Sequence, residues 1–177
     1  MMLKILLGLA VGVAVFLIVV ALQPSQFRVA RRAVIPAPPA VVFGHVGDLQ
    51  KWQAWSPWAK LDPNSKISFD GPSDRVGSSF AWSGNDKVGE GRMTILESRP
   101  NELVRFRLDF EKPFKGTNEA AFALRPEGAG TAVEWSMTGT KNFIFKAVGL
   151  FMNCDKMLGG QFEEGLANLQ AACAAPK

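Results

Sequence analysis

The distribution of apolar and polar positions first marks out the N-terminus. From Ile5 to Leu22 every residue is apolar or glycine, and at about 1.5 Å per residue this run would form a helix roughly 27 Å long. That length nearly matches the hydrocarbon core of a bilayer. The run is longer than the apolar core of an ordinary secretory signal, and the following LQPSQF contains no small-x-small cleavage site. The pattern therefore predicts an uncleaved, single transmembrane helix.

Beyond Pro24 the pattern alternates between apolar and polar positions, which is typical of strands with one buried face. QFRVARRAVI predicts a first strand, and the prolines of PAPPA open a short helical segment, AVVFGHVGDL. Six further segments of period two follow, separated by turn clusters rich in Gly, Pro, Asn and Asp. These segments are SKISFD, GSSFAWSG, KVGEGRMTILES, ELVRFRLDF, TNEAAFALR and TAVEWSMTG.

The last part of the chain, from Asn142 to Ala172, returns to helical spacing. One stripe of a continuous helix would carry Ile144, Val148, Phe151, Leu158, Phe162, Leu166 and Leu169. The predicted fold class is therefore α+β, with a curved antiparallel sheet of about seven strands wrapped on a long C-terminal helix. The predicted domains are a transmembrane anchor at residues 1–26 and one folded domain at residues 27–177.

Composition and charge fit one ordinary domain behind the anchor. The 177 residues are 47% hydrophobic, which is enough for one core. A net charge of +4 arises from 20 basic and 16 acidic residues, and these are scattered, without the cluster of Lys and Arg that neutralises a row of phosphates. We therefore expect no nucleic-acid partner.

Basic residues flank the predicted span on both sides. Lys4 and the terminal amine precede it, and Arg28, Arg31 and Arg32 follow it. The positive-inside rule counts both groups, because both lie close to the ends of the span. The protein is thus predicted to be a single-pass protein of the cell membrane, and the count leaves the side of the domain open with a slight preference for the cytoplasm.

Several phrases of the sequence resemble a known family. VIPAPPAVVFGHVGDLQKWQAWSPW, FDGP, VGSSFAWSGN, VGEGRMTI and GTAVEWSMTG are similar to the SRPBCC superfamily, which has the helix-grip fold of birch-pollen-allergen, START lipid-transfer and polyketide cyclase/dehydrase-like proteins. The resemblance extends from about Phe27 to Leu169 and is strongest to a bacterial polyketide cyclase-like branch, whose members often carry an N-terminal membrane helix. It implies a deep hydrophobic cavity between the sheet and the C-terminal helix, while the branch name does not establish catalysis.

Alternation within the strands indicates which side chains would face such a cavity. If the apolar side chains of the predicted strands face inward, Glu90, Arg92 and Arg107 lie on the opposite face of the sheet. An apolar face also fits a packed core, and the resemblance is what favours a cavity. Aromatic and methionine side chains would then form its walls. The predicted cavity residues are Phe80, Trp82, Met93, Ile95, Phe106, Leu108, Phe122, Trp135, Met137, Phe151, Leu158 and Phe162.

Three of the five tryptophans fall within KWQAWSPWAK, directly after the short helical segment. In the resembled fold this region leads into the sheet near one end of the cavity. Packing of the helices on the sheet, a cavity mouth and a membrane-interface belt are each consistent with such a cluster. Trp55 and Trp58 are the predicted mouth residues, and Trp58 is the stronger candidate because Pro57 fixes the turn before it.

Polar residues offer few sites for chemistry. The only histidine, His45, has no obvious Asp or Ser partner, and together with two cysteines it supplies no zinc spacing. The strings GNDKVGEG and EGAG lie between predicted strands, which indicates hairpin turns rather than phosphate-binding loops. We therefore predict no catalytic residue, metal or cofactor. If the final helix breaks at Gly159 and Gly160, Asp155 caps it in solvent, which we favour. In an unbroken helix Asp155 lies on the apolar stripe and meets an arginine or the polar head of a ligand.

The predicted function is membrane-tethered binding or transfer of a lipid or another hydrophobic small molecule, because poorly soluble ligands are concentrated in the bilayer. An accessory subunit of a membrane protein complex is an alternative, which an exposed apolar patch and a stable partner would favour. A cyclase or dehydratase is a third possibility. It would need an acid and a base paired inside the cavity, and the sequence does not reveal such a pair, so the question of enzymatic activity stays open with binding favoured.

Overall fold

A computed structural model describes residues 1–151 and 153–174, apart from the side chain of Cys154. The helices are α1 (Met2–Leu22), α2 (Pro39–Val46), α3 (Trp52–Trp55), α4 (Phe143–Gly149) and α5 (Cys154–Ala174), with a short 3-10 helix at Pro57–Lys60. The strands are β1 (Gln26–Ile35), β2 (Lys66–Asp70), β3 (Ser79–Ser83), β4 (Glu90–Arg99), β5 (Leu103–Lys112), β6 (Gly116–Glu127) and β7 (Gly130–Thr140).

The seven strands form one curved antiparallel sheet in the order β1-β7-β6-β5-β4-β3-β2. Strands β2 to β7 are a meander, because each pairs with its neighbour in sequence, and β1 joins the sheet beside β7. Shifts of register between β4 and β5, at Glu90/Gly91 and Ile95/Glu97, add bulges that increase the local bend. The α+β prediction of a seven-stranded sheet with a long C-terminal helix is confirmed.

The strand register brings several connections to one end of the sheet. Gln26 at the start of β1 pairs with Thr140 at the end of β7. Lys112 at the end of β5 pairs with Glu90 at the start of β4, so the β5–β6 and β3–β4 turns lie at this same end. The chain also passes from α1 into β1 here. We call it the anchor end of the sheet.

The C-terminal helical region consists of two helices rather than the continuous helix that its spacing predicts. The Asn142 side chain accepts a hydrogen bond from the Phe145 N–H at 2.9 Å, and the Asn153 side chain accepts one from the Lys156 N–H at 2.9 Å. Each helix therefore begins at its own asparagine cap. Only α5 places the predicted stripe against the sheet, and α4 is a separate element whose apolar residues are exposed.

Helix α5 lies across the sheet and beside β1. Its residues Phe162, Leu166 and Leu169 are buried in the core, and the helix runs unbroken through its paired glycines. Because Phe162 stacks flat on Trp135 of β7, with ring centroids 4.2 Å apart, the helix is held closely over the β1–β7 side of the sheet.

Helix α1 stands largely apart from this core, since Val20 is its only buried residue. Its C-terminal half contacts the α4 region: the rings of Phe16 and Phe151 stack with centroids 6.4 Å apart, and Lys146 Nζ donates to the Ala21 carbonyl at 3.3 Å. Among the described helices α1 is long and apolar enough to cross a membrane, a property that signal sequences share.

Candidate ligand-binding site

A cavity of about 430 Å³ lies between the sheet, the α3 region and the first turns of α5. Its volume is within the roughly 300–1,000 Å³ of typical small-molecule sites. Most of its wall is apolar and comes from the inward-facing positions of the strands. Seven of the predicted cavity residues line it, namely Phe80, Trp82, Met93, Leu108, Trp135, Met137 and Leu158.

Four other predicted cavity residues belong to the packed core instead. Their side chains are almost completely buried and do not line the cavity. For Phe106 and Phe122 the reason is that the α3 region fills the space above them: the Trp52 ring packs edge-on against both, with centroids 5.3 and 5.6 Å apart. Phe162 stacks on Trp135 instead. These four residues are Ile95, Phe106, Phe122 and Phe162.

Phe151 also lies outside the cavity. It follows α4, whose large apolar side chains are exposed, and the residue itself is 81% exposed. The prediction placed it on the stripe that faces the sheet because it assumed one continuous helix. Because α5 begins at its own cap, Asn153, that assumption fails, and Phe151 lies beside Phe16 of α1.

The tryptophans after α2 divide between the core and the cavity. Trp55, a predicted mouth residue, is completely buried against Phe122 and Trp135 and does not reach the cavity. Trp58 does line the cavity, and so does Trp52, which the prediction omitted. The indole N–H of Trp52 donates to the Val46 carbonyl at 2.8 Å, so the last residue of α2 holds the ring in place. The rings of Trp52 and Trp58 are thus the contribution of these tryptophans to the cavity wall.

Trp82 is held flat against the sheet at the side of the cavity. It pairs across the strands with Gly91, and a Cβ at Gly91 would lie only 2.6 Å from the Trp82 ring. Glycine therefore provides the room for the indole to cover β4. The Trp82 N–H donates to the Val88 carbonyl at 3.1 Å. An indole fixed in this way offers a rigid apolar wall to a guest.

The cavity reaches the surface at the anchor end of the sheet. Its exposed lining residues include Asp86 and Lys87 of the β3–β4 turn, and Lys112 and Pro113 beside the β5–β6 turn. Phe27, at the start of β1, lines the same region. The prediction omitted Phe27, although it shares the inward parity of Val29 and the alternating pattern could have revealed it.

Charged side chains at this rim are held in place by pairing. Lys112 Nζ donates to Glu90 Oε1 at 2.9 Å, and the Ser83 hydroxyl donates to the same oxygen at 3.2 Å. The hydrogen bond from Lys112 holds the pKa of Glu90 below its ordinary value, and the Glu90 carboxylate raises the pKa of Lys112. The rim is therefore charged at neutral pH, while the interior is apolar.

Asp155 lies outside the cavity, in the first turn of α5. Its Oδ2 accepts a hydrogen bond from Arg31 Nη2 at 3.0 Å, and Arg31 Nε donates to Glu163 Oε1 at 2.7 Å. The helix cap is Asn153 rather than Asp155. Of the roles considered for Asp155, the geometry matches the ion pair with an arginine. That pair ties α5 to β1.

Comparison with protein families finds one that covers nearly all of the chain beyond α1. Residues 26–174 match the model of a family described as polyketide cyclase / dehydrase and lipid transport. The resemblance noted in the sequence is thereby confirmed. Among curated proteins, none is similar enough to the chain to count as a relative.

Solved structures share the fold at low sequence identity. Protein CV1439 from Chromobacterium violaceum superposes with a TM-score of 0.61 at 18% identity, covering 87% of this chain and 100% of its own. Ara h 8.0201 gives a TM-score of 0.59 at 12% identity, covering 84% and 97%. Ginseng major latex-like protein 151 from Panax ginseng gives 0.59 at 11% identity, covering 86% and 100%. Identities this low establish the shared fold and nothing finer.

Proposed function

Because this chain belongs to the polyketide cyclase / dehydrase and lipid transport family, we propose that it binds a lipid or another hydrophobic small molecule in the cavity beneath α5 while α1 anchors it in a membrane. The observation that carries the proposal is the apolar cavity of about 430 Å³, whose interior is formed by rings and methionines. Burial of a hydrocarbon guest there would contribute roughly 25 cal/mol per Å² of apolar surface removed from water.

The anchoring part of the proposal rests on α1 and on where the cavity opens. Residues 1–26 are the proposed anchor and residues 27–177 the proposed binding domain, and the basic residues on both sides of α1 give only a slight preference for a domain in the cytoplasm. The length and composition of α1 support a span. The cavity opens at the anchor end of the sheet, so a bound molecule would have a short path to the bilayer.

The test uses Ala120, which lies on the cavity wall, and its neighbour Ala121, which faces the other side of β6. The full chain in lipid nanodiscs is titrated with dansyl-labelled undecanoic acid, and binding is read as energy transfer from tryptophan to dansyl. Ala120→Phe should fill the cavity and weaken binding by roughly tenfold, or about 1.4 kcal/mol. Ala121→Phe should leave the affinity unchanged.

Three controls make the result decisive. Nanodiscs without protein report partition of the probe into lipid. Ala120→Leu fills less space and should give a smaller effect, and circular dichroism shows whether each variant is folded, since overpacking costs roughly 1–3 kcal/mol. Equal affinity of folded Ala120→Phe, Ala121→Phe and the natural chain would mean that the cavity is not the binding site.

A further inference from the structure

An apolar surface lies beside α1 and outside the core. Helix α4, the residue that follows its cap and the β5–β6 turn expose large apolar side chains next to one another, and Phe114 packs edge-on against Phe145 with ring centroids 5.4 Å apart. We call this surface the anchor-side patch. It consists of Phe114, Phe143, Ile144, Phe145, Val148 and Phe151.

The contact with α1 fixes the depth of the patch relative to the predicted span. Phe151 stacks on Phe16, which lies six residues before the end of α1 at Leu22 and therefore about 9 Å along the helix axis from that end. A span of 21 residues is about as long as the hydrocarbon core is thick. If α1 fills the core, Phe16 lies below the level of the lipid headgroups. Phe151, in contact with it, lies there too.

Lysines lie around the patch, and two nearby carboxylates, Glu111 and Asp155, are paired with Lys115 and Arg31. Lys141, Lys146 and Lys156 lie within or beside the α4 region, and Lys146 Nζ reaches the Ala21 carbonyl near the end of α1. Lysines can extend their ammonium groups to the headgroup level while their hydrocarbon stems stay in apolar surroundings. The Lys146 ammonium, near Ala21, thus lies closer to the end of α1 than Phe151, which stacks on Phe16. Apolar side chains below an ammonium group are the arrangement of an interfacial helix.

The cavity opens next to this patch. Phe114 directly follows Pro113, which lines the cavity together with Lys112, and Leu158 of α5 lines it a few residues after α4 and its connection. The β5–β6 turn therefore belongs to both the patch and the cavity rim. A surface immersed at this place would bring the rim to the bilayer.

We propose that the anchor-side patch is immersed in the bilayer beside α1 and that a hydrophobic molecule passes from the lipid into the cavity across the β5–β6 turn, a route that rests on the proposed function. Bilayer lipid is favoured over a partner protein because the stacking of Phe151 on Phe16 places the patch within the depth of the span. α4 is then a second membrane contact of the chain in addition to its anchor.

Immersion is tested with a nitroxide spin label at Ile144, in the full chain with Cys154→Ser and Cys173→Ala, reconstituted in vesicles of phosphatidylcholine and phosphatidylglycerol. Ile144 is 56% exposed, and the matched control is Val76, which is 60% exposed and lies in the β2–β3 loop, away from the anchor end. A label at Ile144 should collide readily with oxygen, which concentrates in lipid, and rarely with a water-soluble nickel chelate. The label at Val76 should show the reverse.

Two other readings would overturn the proposal. Equal accessibility of Ile144 and Val76 to the nickel chelate would place the patch in water. Shielding of the Ile144 label from both oxygen and nickel would place it against protein, which is the arrangement expected of an accessory subunit or of a second copy of the chain. A full chain that washes off the vesicles in alkaline carbonate would instead contradict the anchoring part of the proposed function.

The route is tested by the rate at which dansyl-undecanoic acid moves from vesicles into the protein. Ile144→Glu should slow this transfer by roughly three- to tenfold, because an ionised carboxylate is costly in the bilayer, while the final amount bound stays the same. Val76→Glu is the control and should transfer at the natural rate. An unchanged rate for Ile144→Glu would overturn the route. Absence of binding by the natural chain would contradict the proposed function, whereas the spin label at Ile144 would still test immersion of the patch.

Discussion

Individual aromatic residues decide how much of the concave side of the sheet is cavity and how much is core. Trp135 illustrates the division, because one face of its ring stacks on Phe162 and its neighbours include Phe122 and Trp58, while the residue also lines the cavity. It is 1% exposed. Trp135 therefore packs with the core and also forms part of the cavity wall.

His45 provides a prediction at the same scale, since it is the only histidine of the chain. It lies on α2, and its Nδ1 is buried without a partner among the described residues. Burial lowers its pKa, and the nearby Lys51 ammonium lowers it further against the weaker opposing effect of Asp48. Protonation is therefore more costly in the folded chain than in the unfolded chain.

The expected result is a pH-dependent stability. The contribution of neutral His45 is present above the ordinary histidine pKa of about 6.5 and is lost as the pH falls towards the lower pKa of the folded state. The temperature of the thermal unfolding midpoint should therefore decrease as the pH is lowered from about 7.5 to about 5.5, a window centred on the ordinary histidine pKa of about 6.5. Circular dichroism of the chain in detergent measures it. His45→Gln should flatten this part of the curve. An equal slope in His45→Gln would assign the dependence to other groups.

At the scale of elements, the close approach of α5 to β1 depends on one of two neighbouring glycines. A Cβ at Gly159 would overlap the Arg31 guanidinium, which lies between Asp155 and Glu163 against the helix. A Cβ at Gly160 would meet nothing within 4 Å. The two positions are therefore a matched pair within one helix turn.

The pair predicts different effects of the same substitution. Gly160→Ala should stabilise the chain by about 0.5–1 kcal/mol, because alanine is the better helix former. Gly159→Ala gains the same propensity, but it displaces the Arg31 guanidinium from Asp155 and Glu163, exposed pairs worth up to about 1 kcal/mol each, so its net effect should range from zero to a destabilisation of about 1 kcal/mol. Denaturant unfolding of the two variants measures both values. Equal stabilisation by both alanines would show that the Arg31 contact does not hold α5 in place.

The same region shows what the sequence could and could not predict. Periodicity identified each strand and the helical character of the tail, because strands with one buried face and packed helices leave clear spacings. The break between α4 and α5 was missed, although Asn153 is a typical N-cap residue, because the apolar spacing continues past it. Asparagine preference is a weaker signal than a repeated apolar stripe, and it became clear only from the hydrogen bond that the side chain accepts.

At the scale of the whole molecule, alternation predicted which side of the sheet is apolar but not how that side is shared. Met93 and Ile95 have the same parity on β4, yet Met93 lines the cavity and Ile95 is in the core. The difference depends on where the α3 region covers the sheet. That placement is set by long-range packing, such as the contacts of Trp52 with Phe106 and Phe122, which a local pattern does not encode.

Removal of α1 should separate membrane anchoring from folding. The strand β1 begins at Gln26, the family match also begins at residue 26, and the core contains buried residues from β1 to α5 with no contribution from α1. A chain that begins at Gln26 should therefore fold, with a thermal midpoint within a few degrees of the full chain. It keeps the anchor-side patch, which would give it reversible binding to anionic vesicles.

Alkaline carbonate distinguishes the two kinds of attachment, since it removes interfacial proteins and leaves membrane spans in place. The full chain should stay in the membrane pellet after the wash, and the chain from Gln26 should be released. Recovery of the full chain in the supernatant would contradict the span. Aggregation of the shorter chain would show that the domain needs α1 or a partner protein to cover its apolar surface, which is the behaviour expected of an accessory subunit.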